Sequence, residues 1–499
     1  MSKYLLGFDV GSSSVKAALI DVDSGKTVSV AQSPQEEMPM LAVQSGWAEQ
    51  EPDMWWAHAK EALRLALAKA NASGNDVVGI GISYQMHGLV CVDKDSKPVR
   101  PSIIWCDSRA SKYGEEAFQK LGQAFCLKHY LNSPGNFTAS KLKWVKENEP
   151  KVYERIHKVM LPGDYLALQL TGEICTTASG LSEGIFWDFE KAGVADDVLK
   201  FYGFDSSVLA KVAPTFSPQG GVTKAIAQEL GLMEGTPVAY RAGDQPNNAF
   251  SLNVINPGET AATAGTSGVV YSVTDKNAFD KQSRVNPFVH VNGGGKEIRN
   301  GVLLCINGTG ILNSWLRKTL KSDEAGFSYP AMNALAEKAP IGSENLLFYP
   351  FGNGGERIFE NRLVGASMKN LDFNHHNQSH ILRAAQEGIV FSMQYGFEII
   401  RSMGIEISVV RAGLANMFLS PLFRQAFVNT LSVPLELYET NGAVGAAVGA
   451  GVGAGVYKDF KEAFKGLERK SEEVPKAEFT QHYKVAYQRW LDGLNTKTV

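Results

Sequence analysis

Two short stretches built to the same plan, about 250 residues apart, constrain this chain more than any other feature. YLLGFDVGSSSVKAALIDVDSG (residues 4–25) runs from an apolar segment through Asp9 and the turn Gly11-Ser12-Ser13-Ser14. It continues into a segment where Val15, Ala17 and Leu19 alternate with Lys16, Ala18 and Ile20, and ends in the turn Asp23-Ser24-Gly25. TAATAGTSGVVYSV (260–273) again sets a Gly/Ser/Thr turn between two strand-like segments. Each reads as a β-hairpin. Small residues let a backbone come close to a ligand, and successive N–H groups in such a turn hold an anion. The first turn joins two strands and lacks the GK[ST] ending, so it is not a P-loop. If the second hairpin repeats the first, the chain has two related halves that offer phosphate-facing loops across a cleft. Glycine-serine turns also resemble one another without any duplication, and an echo this short leaves both readings open.

The length agrees with two halves. At 499 residues the chain exceeds one ordinary core, so two domains are expected, with a third possible. With 44% apolar and 20% charged residues it can bury sizeable cores. Lys plus Arg (49) nearly balances Asp plus Glu (52), which argues against nucleic acid or an anionic membrane as the main partner. Five cysteines without a CxxC spacing fit a reduced cytoplasm and no zinc site. The N-terminus does not read as a signal peptide, since Asp9 breaks its apolar run. The most membrane-like segment, NGAVGAAVGAGVGAGVY (441–457), consists of Gly, Ala and Val. Its small-xxx-small spacing at Gly445, Gly449 and Gly453 reads instead as a helix packed closely on a neighbour.

Elsewhere helix and strand patterns alternate. DMWWAHAKEALRLALAKA (53–70) follows helical periodicity with Asp53 as its expected N-cap. DVVGIGIS leads into a polar break at Tyr84–Gly88 and then a further strand. Residues 380–404 read as a long helix, and SVVRAGLANMF as a short strand entering a small-residue loop. SPLFRQAFVNTL reads as a helix with Ser420 as N-cap and Pro421 at N1, and PLELYE as a strand. The class is α/β.

Several residues could carry chemistry, each with a plainer alternative. Asp9, at a strand end beside the small-residue turn, could hold a metal ion through water or simply cap the turn. Lys16 could pair with phosphate or lie on a solvated strand face. His87, in the polar break, could touch a ligand or be a structural histidine. WCDSR (105–109) supplies an indole, a carboxylate and a guanidinium, which suit a polyhydroxylated ligand. Asp107 and Arg109 could equally form a surface salt bridge. Asp244 follows the apolar run TPVAY and stands among Gln245, Asn247 and Asn248. It could accept a proton from a hydroxyl, or sit in a loop of Asx turns.

GFDVGSSSVKAAL, YQMHGLV, WCDSR, TASKLKWV, AGDQPNNA, TAGTSGVV, NGTGILNSWL and RAGLANMFLSPLFRQ occur in the order seen in the FGGY carbohydrate kinases. The chain resembles that family from Leu6 to about Gly455, and within it most the members that phosphorylate xylulose. The resemblance implies two actin-like (ribonuclease-H-like) α/β domains, expected at 1–252 and 253–499, with the site in the cleft between them. It implies transfer of the γ-phosphoryl group of ATP to a sugar hydroxyl, with Mg2+. Asp244 matches the general base and Asp9 the carboxylate near the metal. Met86, His87, Arg109 and Asp244 match sugar-site positions, joined by the adjacent Gln245. There His87 and Arg109 would donate hydrogen bonds, and Met86 would wall the carbon chain. Gly11, Ser12 and Ser13, with Gly265 and Thr266, match the two phosphate loops, and Lys16 beside the first is a candidate for the same phosphates. Gly310, Gly413 and Asn416 match the nucleotide pocket.

Four positions depart from the family pattern: Tyr84 stands for a usual Gly, Cys106 for Asn, Gln245 for Asn, and Ala412 for the first glycine of the adenosine loop. The first three adjoin the sugar site, so they bear on the substrate more than on the reaction. Glycerol, ribulose, gluconate or rhamnulose are alternative acceptors, and an actin-like nucleotide switch without an acceptor is the alternative outside catalysis. The expected partners are a sugar and ATP, with a homodimer possible and cytoplasmic residence.

Overall fold

In the computed structural model the described residues are 2–320, 327–360, 362 and 364–495. The opening segment forms the hairpin β1 (Tyr4–Val10) and β2 (Val15–Asp21), in register from Tyr4 opposite Asp21 to Val10 opposite Val15. β3 (Thr27–Ser33) extends it antiparallel, and β4 (Val77–Tyr84) and β5 (Val238–Gly243) add parallel strands on the other side of β1. The sheet order is β5-β4-β1-β2-β3.

The second hairpin, β6 (Glu259–Ala264) and β7 (Gly268–Thr274), founds a second sheet. Its other strands are β8 (Asn286–Val289), β9 (Asn300–Ile306), β10 (Val409–Gly413), β11 (Leu435–Tyr438) and β12 (Arg469–Glu473). The order is β8-β9-β7-β6-β10-β11-β12. Its central part, β9-β7-β6-β10-β11, repeats the first sheet strand for strand: three antiparallel strands, then two parallel ones. The echo in the sequence is therefore a repeat of topology, in the two-sheet α/β architecture that the resemblance implies.

Most predicted elements form where expected, with shifts of a residue or two at their boundaries. α1 spans Pro52–Ala70 and buries Trp55, Ala59 and Leu63 with the first sheet's core. Asp53 is not its N-cap. Glu51 holds that position and Pro52 is N1, where a residue without an N–H costs nothing. Asp53 thus falls inside the first turn and accepts the Tyr165 hydroxyl. The long helix runs Gln378–Ser402, and Pro421–Leu431 is capped by Ser420, whose side chain accepts from the Phe423 N–H at 3.2 Å.

Three further helices position the site: α2 (Asp244–Ser251), α3 (Gly310–Thr319) and α4 (Gly442–Gly453). α4 is the Gly/Ala/Val segment. It follows the second sheet's β11 in the chain but lies on the first sheet. A Cβ on Gly7 would fall 1.9 Å from the Ala443 carbonyl oxygen, and one on Gly81 1.9 Å from that of Ala446. On the helix side, Gly449 faces the Tyr240 ring and Gly453 the Ala239 carbonyl. Helix and sheet backbones touch because neither carries a side chain there. Gly81→Ala would have to separate them, so it should cost about 1–3 kcal/mol, the range for overpacked cores. Gly295→Ala, with nothing within 4 Å of the new Cβ, serves as control. Equal melting temperatures for the two variants would refute the close packing.

Candidate functional site

The site gathers at the carboxyl ends of parallel strands, where open α/β sheets bind ligands. In the first sheet Asp9 pairs in register with Ser83, and Tyr84 with Gly243, so β1, β4 and β5 end side by side. The Ser83 hydroxyl donates to Asp9 Oδ1 at 2.9 Å. The other oxygen faces the first residue of α4, where a Cβ on Gly442 would lie 2.6 Å from Asp9 Oδ2. Asp9 therefore sits against a helix N-terminus, a favourable place for negative charge. Asn247 of α2 donates to the Gly442 carbonyl at 2.9 Å, which ties α2 to α4 around the same point.

Asp244 is the first residue of α2, directly after β5. The residue as a whole is half-buried. Burial, and then the charge of Asp9, push its pKa up to about 7, against the opposing pull of the Gln245 N–H and side chain. Gln245 thus spends its side-chain amide on Asp244. Met86 packs on the preceding residue: a Cβ on Gly243 would be 2.6 Å from Met86 Cγ and 3.1 Å from Glu183 Oε1. Asp244, Gln245, Met86 and His87 are brought together.

His87 has a left-handed backbone, φ 63°. Its N–H donates to Glu183 Oε2 at 2.7 Å, and its carbonyl accepts from Lys141 Nζ at 2.8 Å. Burial, and then the Lys141 charge, lower its pKa to about 3, so the ring is neutral. Lys141 also donates to the Ile104 carbonyl at 3.0 Å, and burial brings its pKa down to about 7. The Tyr84 hydroxyl is 2.8 Å from Glu183 Oε1, so the departure at Tyr84 is built into this arrangement.

Arg109 is corrected by the structure. It is neither an exposed ion pair nor a donor open to the cleft. Its side chain is 1% exposed, with Nε to Asp107 at 2.8 Å and Nη1 to Glu49 at 2.6 Å. The guanidinium lies 3.7 Å from the Trp47 ring centroid and 4.8 Å from that of Trp144. Two carboxylates pair with it and two indoles flank it inside the protein. Asp107 is fully buried and also accepts from the Ala48 N–H at 2.7 Å. Trp105 alone of WCDSR turns to the loop, its Nε1 3.5 Å from Ser12 Oγ.

Both small-residue turns direct carbonyls into the protein. The Ser12 carbonyl accepts from Gln50 Nε2 at 2.7 Å and the Ser13 carbonyl from the Met38 N–H at 2.9 Å. In the second turn the Gly265 carbonyl accepts from the Gly310 N–H at 2.7 Å and from Thr309 Oγ1 at 3.0 Å. The N–H groups of Ser12, Ser13, Thr266 and Ser267 have no protein acceptor among the described residues. Lys16 stands opposite Asp9 in the β1–β2 register. Gly265, Thr266, Gly310 and Asn416 line one cleft of about 570 Å³, with Tyr329 and Ser420 on its walls. Gly413 ends β10 and stands outside that lining; the loop returns at Asn416, φ 55°.

Sequence reasoning missed Ser83, Glu183, Lys141 and Gly442. Lys141 lay within a quoted motif, but helical spacing does not reveal which lysine is buried. A carboxylate within LSEGIFW was the available signal for Glu183.

Among the described residues no three His, Cys, Asp or Glu side chains form a metal-binding group. Asp9, with Asp244 near, fits Mg2+ all the same, since that ion is commonly held by one or two carboxylates, water and substrate phosphates. No helix among the described residues is long and apolar enough to cross a membrane.

Comparison with known proteins matches residues 4–251 to the N-terminal domain of the FGGY family of carbohydrate kinases and residues 260–454 to its C-terminal domain. The chain is 29% identical to a xylulose kinase of Haemophilus influenzae over 98% of this chain and 99% of that one. It is 32% identical to a xylulose kinase of Lactococcus lactis over 80% and 77% of the two chains. A crystal structure of a xyloylose kinase from Brucella ovis superposes with a TM-score of 0.88 at 26% identity, covering 99% of each chain.

Proposed function

This chain belongs to the FGGY family of carbohydrate kinases, and from that premise we propose that it transfers the γ-phosphoryl group of ATP to the C5 hydroxyl of D-xylulose. The products are D-xylulose 5-phosphate and ADP. The observation that carries the reading is Asp244, a carboxyl with pKa about 7 on the strand edge that also holds Asp9. A base of that pKa is half ionised near neutral pH, which suits proton acceptance from an alcohol.

Asp244 takes the proton of the attacking hydroxyl as its oxygen bonds to the γ-phosphorus. The bond from that phosphorus to the β–γ bridging oxygen breaks, and ADP leaves. Met86 walls the carbon chain and His87 meets a hydroxyl. The free N–H groups of the two turns, in the order Ser12-Ser13 and Thr266-Ser267, receive phosphate oxygens. Gly310, Asn416 and the 570 Å³ cleft hold the nucleoside, with Gly413 at its edge. Mg2+, when bound, offsets charge on the phosphates, with Asp9 the residue that would hold it. Phosphoryl transfer depends mainly on such alignment and charge neutralisation. We further propose division near residue 252, a homodimer, and cytoplasmic residence, the last supported by five cysteines without a CxxC spacing.

The test is kcat/KM across D-xylulose, D-ribulose, L-ribulose, L-rhamnulose, D-gluconate and glycerol. D-xylulose should lead, because a site built to pair each hydroxyl can discriminate by ~10⁴. A tenfold preference for another acceptor would replace xylulose in the proposal. ATP turnover unmoved by all six would favour the nucleotide switch.

A further inference from the structure

We propose that Glu183 is the residue that positions His87, presenting its ring to the sugar as a hydrogen-bond acceptor through Nε2. The inference rests on the reading of His87 as a sugar-site residue and reverses the donor role expected for it. His87 is not glycine, yet its φ is 63°, a conformation that persists only where the surroundings hold it. Glu183 supplies that hold twice. Its Oε2 takes the His87 N–H at 2.7 Å, and its backbone carbonyl lies 3.0 Å from His87 Nδ1. Two phenyl rings pack against the imidazole, Phe137 at 4.7 Å in a T-shaped arrangement and Phe288 at 5.5 Å, tilted.

The tautomer follows from these contacts. A carbonyl oxygen can only accept, so the proton must be on Nδ1. The ring is neutral, so Nε2 carries a lone pair and no hydrogen. Nothing among the described residues takes up Nε2. With Asp244 also an acceptor, the site requires two hydroxyls that donate, one to each. A ketone oxygen opposite Nε2 would face lone pair to lone pair. Burial raises the pKa of the Glu183 carboxyl well above its ordinary value, against the His87 N–H and Tyr84 hydroxyl that both donate to it. Its Oε1 accepts from the Tyr84 hydroxyl at 2.8 Å.

Both side-chain contacts of Glu183 are hydrogen bonds, and an amide of the same length can make two. Glu183→Gln keeps an acceptor for the His87 N–H and a polar partner for the Tyr84 hydroxyl; Glu183→Leu keeps neither. With the best acceptor from the sugar panel, Glu183→Leu should raise the sugar KM about tenfold or more while the ATP KM stays within about twofold. Glu183→Gln should restore the sugar KM to within about threefold of wild type, with an unchanged pH profile. Equal damage by both substitutions, or loss of kcat in Glu183→Gln alone, would overturn the assignment. Histidine-selective ¹⁵N NMR of the full-length wild-type protein decides independently of folding in the variants, with His87→Asn to identify the resonance. A protonated Nδ1 with a bare Nε2 supports the proposal; a protonated Nε2 refutes it. That measurement needs no turnover, so it separates failure here from failure of the kinase reading.

Discussion

Asp244→Asn is expected to lower kcat by about 100-fold or more while the protein folds and binds ATP. The amide fits the same space at the start of α2 but cannot take a proton. The wild-type rate should fall on the acid side as Asp244 protonates, with a midpoint near its pKa of about 7 in the free protein. The variant's residual rate should lack that limb. Stability should move the other way. The folded pKa is raised above the ordinary carboxylate value, so this group's contribution to stability is fully present at low pH and is lost as pH rises through about 7. Asparagine never ionises and escapes the loss. Melting curves at pH 8 should therefore place the variant above wild type, with the gap narrowing toward pH 5 and closing near pH 4. A variant with near wild-type kcat, or one less stable than wild type at pH 8, would contradict the assignment of Asp244 as an electrostatically strained base.

Arg109→Met should cost about 3–5 kcal/mol of stability, the range for removing one partner of a buried ion pair. It leaves Asp107 without its cation, removes one from Glu49, and strips the guanidinium from between Trp47 and Trp144. For units of this size the melting temperature should drop by about 10 °C. Below that transition the sugar KM should stay within a few-fold of wild type, because the Arg109 side chain is buried among its ion-pair partners. A large rise in sugar KM with an unchanged melting temperature would restore the direct sugar contact that the resemblance implied. The two substitutions together separate chemistry from scaffolding: Asp244 carries the first at little structural benefit, and Arg109 the second.

What the sequence determined by itself was local and periodic. Alternating segments flanking Gly11–Ser14 and Gly265–Ser267 could only pair as hairpins, and strand alternation is a property of neighbouring residues. Ser420-Pro421 marked a helix start because capping and a missing N–H act within one turn. The glycine spacing of α4 announced a close neighbour. The motif order named Asp9, Asp244, Met86 and His87, and these converge at the strand ends. Contacts between distant residues were decided only by the tertiary structure. That α4 lies on the first sheet rather than the second depends on Gly7 and Gly81, more than 350 residues away in the chain, presenting bare backbone to it. Arg109 reads as a polar residue in a polar motif; only the fold brings Glu49, Trp47 and Trp144 around it and takes it out of the cleft. The pKa of Asp244 and the proton position on His87 come from burial, from Asp9 on another strand and from Glu183 some hundred residues on. Charge and desolvation act through space, so a residue's protonation state is set by its neighbours in the fold, whereas its capacity to cap, turn or pair is set by its neighbours in the chain.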